Sequence, residues 1–92
     1  MAKIYAQHPD PEKQGTNIDK EKYDQMHEAI VVAFMQQENM VFKDLVLAVK
    51  SQLAGEFKGS IEWYVTVVKL DMEAKGEMRC DRSKSPNLLS LS

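Results

Sequence analysis

The chain has 92 residues, 43% of them hydrophobic and 28% charged, and a formal net charge of −2, which favours a single globular domain and excludes a general polyanion binder. Cys80 is the only cysteine, so an intramolecular disulfide cannot form and a secreted disulfide scaffold is excluded. The longest apolar run, residues 29–35, is too short to span a bilayer, and residues 1–8 lack the apolar core of a signal peptide, so we predict a cytoplasmic protein without a membrane partner.

Turn-forming residues dominate the first 17 positions, at 8–11 (HPDP) and 14–17 (QGTN), and such segments cannot sustain a helix. A short apolar alternation at Ile4 and Ala6 precedes them and is compatible with one edge strand. We therefore expect an extended arm over residues 1–17 and a folded domain over residues 18–92.

The first helix is predicted to begin at Asp19, whose side chain can accept from the free N–H groups of the first turn. Ile18 before it and Tyr23 after it are spaced as a hydrophobic staple. The core stripe of this helix is predicted from its helical spacing and comprises Tyr23, Met26, Ile30, Ala33 and Phe34. The pattern breaks near Asn39, and residues 40–41 are long enough only for a short strand or an extended link.

A second helix follows at once, because five apolar residues recur on one helical face, namely Phe42, Leu45, Val46, Val49 and Leu53. Gly55 is predicted to supply its left-handed stop. Ser60 is a good N-cap for a third helix, which is predicted to run to Lys75 and to end at Gly76 in the same way.

After Gly76 the apolar period changes from helical to alternating. Residues 77–81 and 87–91 predict two short strands joined by a polar turn over residues 82–86. The inward positions are Met78, Cys80, Leu89 and Leu91. The predicted fold class is α+β, a winged helix-turn-helix with three helices followed by a C-terminal β-hairpin wing. A plain three-helix bundle with a disordered tail is the alternative.

Segments 59–63 (GSIEW) and 68–76 (VKLDMEAKG), with a Pro-x-Pro…Gly arm at residues 9–15, resemble a small uncharacterised group of bacterial winged-helix-like proteins over nearly the full chain. Segment 70–79 (LDMEAKGEMR) is more loosely similar to the junction between third helix and wing in winged-helix transcription regulators. This resemblance implies a fold and leaves the function open. Regulators of that kind usually carry polar and basic residues on the outward face of the third helix, and this chain does not.

The third helix has two apolar stripes. One stripe is expected to face the core and comprises Ile61, Tyr64, Val65, Val68 and Met72. The other lies on the nearly opposite face and comprises Trp63, Val67, Leu70 and Ala74. A three-helix core cannot cover both stripes, so something else must cover the second.

Three parts could cover the second stripe. They are the arm, through Ile4 and Tyr5, the wing, or another chain. An exposed tryptophan beside aliphatic residues is typical of an interface centre. We therefore expect a non-enzymatic interaction module that self-associates as a homodimer or binds a protein through Trp63, Val67 and Leu70.

Binding to DNA is the alternative hypothesis. The polar stripe of the third helix has a net charge of −1 and comprises Glu62, Thr66, Lys69 and Glu73, which opposes insertion into a major groove. The wing has three cations against Asp81 and could contact phosphates, although a solvated charged turn is the commoner explanation of such a cluster and is favoured. The candidate nucleic-acid contacts are Thr66, Lys69, Arg79, Arg82 and Lys84.

Catalytic chemistry has no support in the sequence. His8 and His27 are far apart and neither has metal-ligand spacing to Cys80. Asp71 and Glu73 lie on different faces of the third helix, which excludes a close carboxylate pair. We therefore expect no catalytic residues, no metal, no cofactor and no small-molecule substrate.

Overall fold

The computed structural model describes residues 2–92. In chain order its elements are β1 (Lys3–Ala6), β2 (Thr16–Asp19), α1 (Lys20–Gln36), β3 (Asn39–Val41), α2 (Phe42–Leu53), α3 (Ile61–Ala74), β4 (Met78–Asp81) and β5 (Leu88–Leu91). The α+β class is confirmed, with three helices and two small antiparallel sheets in this part of the chain.

The N-terminal arm is a β-hairpin and not a single edge strand. β1 and β2 pair antiparallel, with Ile4 opposite Ile18. Gly15 allows the two strands to approach each other closely, because a Cβ there would clash with the Ala6 carbonyl oxygen. The Gly15 N–H also donates to the Tyr5 hydroxyl at 2.8 Å. The turn-forming residues between β1 and β2 therefore connect two strands of one sheet.

The predicted role of Asp19 is wrong. Its side chain makes no capping hydrogen bond to α1. Asp19 is instead the last residue of β2, opposite Lys3, and its carboxylate lies 3.8 Å from the Lys3 ammonium. The strand pairing directs this side chain to its neighbour across the hairpin and away from the first helical turn.

The predicted core stripes of α1 and α2 are confirmed. The five residues of the α1 stripe are buried, and so are Leu45, Val46, Val49 and Leu53 of α2, while Phe42 is half-buried. The left-handed end of α2 begins at Ala54, one residue before the predicted Gly55. None of the helices within residues 2–92 combines the length and the hydropathy that a membrane-spanning segment needs.

α3 packs against both other helices. The Ser60 hydroxyl accepts from the Trp63 N–H at 3.2 Å, as the N-cap prediction requires. Val65, Val68 and Met72 are buried and form the core face of α3, with Ile61 and Tyr64 half-buried beside them.

The C-terminal strands form a larger sheet than the predicted hairpin. β4 and β5 pair antiparallel as expected, but β5 also pairs with β3, which gives the order β3-β5-β4. Leu89 lies between Met40 and Cys80 in one row that faces the core. The two-stranded description of the wing is therefore wrong, because the short segment after α1 joins the sheet as a third strand.

Candidate interaction surface

The second apolar stripe of α3 divides into two halves. At its N-terminal end Trp63 is 45% exposed, and it is the one large hydrophobic side chain of α3 that is exposed in the described structure. Further along the helix, Val67 and Leu70 are half-buried. The predicted partner-binding residues thus do not form one uniform surface.

The arm covers the C-terminal half of the stripe. β1 packs against α3, and the loop after β1, including His8 and Pro11, lines a 410 Å³ cleft together with Leu70 and Arg82. Ile4 is half-buried against the core. Tyr5, the other residue expected to contribute, is 52% exposed. Ile4 thus packs on the core and Tyr5 is exposed, and the expectation that these two side chains cover the second stripe stays a prediction.

A buried carboxylate fastens the arm to α3. Asp71 is fully buried and accepts the Gln7 backbone N–H at 2.8 Å. Its other oxygen accepts from the Tyr23 hydroxyl of α1 and lies 2.9 Å from the Lys75 ammonium. One side chain thus ties the hairpin, α1 and the end of α3 together.

This environment sets the charge state of both partners. Burial by itself raises the pKa of Asp71, but hydrogen bonds from the Tyr23 hydroxyl, the Gln7 amide and Lys75 outweigh it and leave that pKa below its usual value. Burial and then the hydrogen bond to Asp71 raise the pKa of the Tyr23 hydroxyl. Asp71 is therefore an ionised structural group with all its partners inside the fold.

Trp63 packs on an aromatic base that consists of Tyr64 and Phe57. Its ring meets the Tyr64 ring edge-on, with 4.8 Å between centroids and an interplanar angle of 84°. Tyr64 packs in the same manner on the buried Phe57, at 5.0 Å, and the Lys22 ammonium lies 5.3 Å from the Tyr64 ring centroid. Tyr64 thus connects the exposed indole to the buried Phe57.

The sequence profile of a family of unknown function, DUF6958, matches residues 3–89. The chain belongs to this family. No characterised protein and no solved structure matches it. The resemblance to an uncharacterised family is thus confirmed for this DUF6958 chain, whereas its bacterial origin and the winged-helix likeness stay predictions.

The residues predicted to contact nucleic acid are dispersed in the DUF6958 chain. Thr66 and Lys69 line a cleft between α2, α3 and the three-stranded sheet. Arg79 lies on a second cleft over the sheet, and Arg82 on a third beside the arm. Lys84 is exposed in the turn between β4 and β5. None of these three clefts contains all of them.

Lys69 is the one cation of the polar stripe on α3, and it forms an ion pair. Its ammonium lies 2.6 Å from the Glu73 carboxylate, and the two side chains are 15% and 8% exposed. The Thr66 hydroxyl donates to the Glu62 carbonyl of the previous turn at 2.9 Å. α3 therefore presents no unpaired cation on the side where a phosphate backbone would have to approach.

Sequence reasoning missed the role of Asp71, although a signal was present. Asp71 follows Tyr64 and Val68 at helical spacing, which places it beside the core face of α3. A carboxylate in that position requires hydrogen-bond partners. What the pattern could not supply was the identity of those partners, since Tyr23 and Gln7 are 48 and 64 residues away.

Proposed function

We propose that this DUF6958 protein is a non-enzymatic interaction module of winged-helix type that binds a partner protein through Trp63. The observation that carries the proposal is the exposure of this indole on a fixed aromatic base, while the rest of the stripe is covered from within the chain. Tryptophan is enriched among the few residues that dominate binding energy, and such anchors cost about 2 kcal/mol or more when truncated.

The order of elements supports the winged-helix type. α1, β3, α2 and α3 are followed by the β4–β5 hairpin, and only seven residues separate α2 from α3. The pairing of β3 with β5 attaches the hairpin to the helical part. The turn over residues 82–87 joins β4 to β5 and is exposed.

A separate partner is favoured over a second copy of the chain. A stable specific interface buries about 800 Å² on each side. Here one exposed indole stands beside Val67 and Leu70, which are already half-buried by their own chain. A surface of this kind suits a transient contact with one central anchor better than an obligate dimer.

Binding to DNA receives less support. A phosphate-binding surface gains its affinity from unpaired lysines and arginines. On α3 the only lysine between Trp63 and Ala74 is paired with Glu73, and the two exposed residues of the helix are the anionic Glu62 and the apolar Trp63.

The test uses photo-crosslinking from the surface itself. A benzoylphenylalanine placed at Val67, one helical turn from the intact Trp63, should yield one discrete adduct in cells that express the protein, and Trp63→Ser in the same chain should abolish that adduct. The same group at Gln25, which is exposed on α1, is the matched control and should not yield it. No adduct specific to position 67, an adduct that persists in Trp63→Ser, or one that consists of two copies of the chain would overturn the proposal.

A further inference from the structure

A second exposed apolar residue lies between two lysines on α2. Lys43, Leu47 and Lys50 are spaced at i, i+4 and i+7 and therefore lie on one stripe of this helix. Leu47 is 55% exposed, and both lysines are exposed. Neither ammonium has a carboxylate within ion-pair distance in the described part of the chain. The stripe is thus apolar at its centre and cationic at both ends.

This stripe forms one wall of a groove between α2 and α3. Phe42 and Val46 line the groove with Leu47, Glu62 of α3 stands opposite, and the volume is about 250 Å³. Next to it lies a 610 Å³ cleft that Leu89 and Pro86 line at the sheet. The two clefts adjoin at Phe42 and Lys43, which line both, and together they are called the channel; its apolar lining, called the floor, includes Phe42, Val46 and Leu89.

The charge of the channel is opposite in sign to that of the protein. It contains Lys43, Lys50 and Lys69 against the single carboxylate of Glu62, whereas the chain as a whole has a net charge of −2. Because Lys69 is neutralised by Glu73, the remaining charge is that of Lys43 and Lys50 against Glu62, which is positive on balance.

We propose that this groove binds an acidic amphipathic helix of a partner protein. Lys43 and Lys50 are separated along α2 by about 10 Å, at 1.5 Å per residue. Carboxylates at i and i+7 of a docked helix have the same separation, and apolar side chains between them would cover Leu47 and Phe42. The site uses none of the residues assigned to the Trp63 surface, so either proposal can fail without the other.

An apolar floor distinguishes this occupant from a nucleic acid. Phosphate recognition needs charge and hydrogen-bond donors along the whole track, and the floor of this groove offers the side chains of Phe42, Val46 and Leu89. A helix that carries both leucines and glutamates can pack its leucines on the floor and pair its glutamates with Lys43 and Lys50.

The probe is a fluorescein-labelled peptide of about five helical turns, with leucines on one face and glutamates flanking it. We expect it to bind the full chain with an affinity in the range of about 10 μM. Charge reversal of Lys43→Glu with Lys50→Glu should weaken binding by about tenfold or more, and so should Leu47→Asp. The neutral pair Lys43→Gln with Lys50→Gln should give an intermediate loss without adding new charge to the helix.

The matched control reverses two exposed lysines outside the groove, Lys13→Glu with Lys84→Glu, and should retain the affinity within about twofold. Absence of binding by the unmodified chain, or equal loss in this control, would overturn the proposal. It would also be overturned if a DNA duplex competed for the groove with the same sensitivity to Lys43 and Lys50, or if the groove proved to be filled by a second copy.

Discussion

The two ends of α3 show the same sequence pattern and have different surroundings. Trp63 at the start and Leu70 near the end belong to one apolar stripe, but only Trp63 is exposed. The difference arises from the N-terminal hairpin, which reaches the second half of the helix and is fastened there through Asp71. One end of the apolar stripe is therefore packed within the fold, whereas the other end is exposed to solvent.

Removal of the Asp71 carboxylate, which fastens the arm to α3, should have the largest effect on stability. Asp71→Ala leaves the Tyr23 hydroxyl and the Gln7 N–H without their acceptor, and we expect a loss of about 3 kcal/mol in the free energy of unfolding, measured by urea denaturation. Asp24→Ala, which removes an exposed pair with Lys20, is the control and should cost less than about 0.5 kcal/mol. Equal losses would show that Asp71 does not fasten the arm.

A smaller effect is expected when the hairpin itself is disturbed. Gly15→Val places a side chain against the Ala6 carbonyl and should cost about 2 kcal/mol. Hydrogen exchange of the β1 amides should become faster, because the strand loses its packing on α3. The exposed neighbour Gln14→Ala should leave both measurements unchanged. If β1 remained fully protected in Gly15→Val, the close approach at residue 15 would not hold the arm in place.

The stability contributed by the Asp71–Tyr23 hydrogen bond should depend on pH. The pKa of Asp71 is lowered, so its contribution is present above its ordinary value and is lost as the pH falls. The pKa of Tyr23 is raised above 10.0, so its contribution is present below pH 10 and is lost as the pH rises through the folded value.

Tyr23→Phe tests the alkaline side. It should cost about 1 kcal/mol at neutral pH and should flatten the alkaline part of the urea midpoint profile. If the urea midpoint of this variant fell at alkaline pH as it does in the unmodified protein, a group other than Tyr23 would be responsible for that fall.

The exposed end of α3 should respond least. Trp63→Ser removes an edge contact with Tyr64 and a side chain that is already 45% exposed, so the free energy of unfolding should fall by about 1 kcal/mol. The buried neighbour Val65→Ser should cost about 3 kcal/mol. Should Trp63→Ser be as destabilising as Val65→Ser, the indole would belong to the core and would not be available to a partner.

Because Trp63 is the only tryptophan of the chain, its fluorescence gives an independent measure of the same point. Acrylamide should quench the emission of the folded protein efficiently, and a bound partner should protect it. This reading requires no second variant, since no other indole contributes to the signal.

Local pattern was sufficient for the three helices, their core faces and the N-cap at Ser60, because helical geometry places residues three and four apart on the same side wherever the helix lies. It was also sufficient for the β4–β5 pair, whose alternation has a period of two. The prediction at Asp19 failed because a strand partner, Lys3, competes with the helix for the same side chain.

The amino-acid sequence by itself determined that α3 has two apolar stripes and that the chain has one core. Only the tertiary structure decided which part of the second stripe is covered, that Lys69 is neutralised, and that Lys43, Leu47 and Lys50 border a groove. The physical reason is distance along the chain: periodicity specifies the faces of an element, whereas a contact such as Gln7 with Asp71 joins residues 64 positions apart and depends on how all the elements pack together.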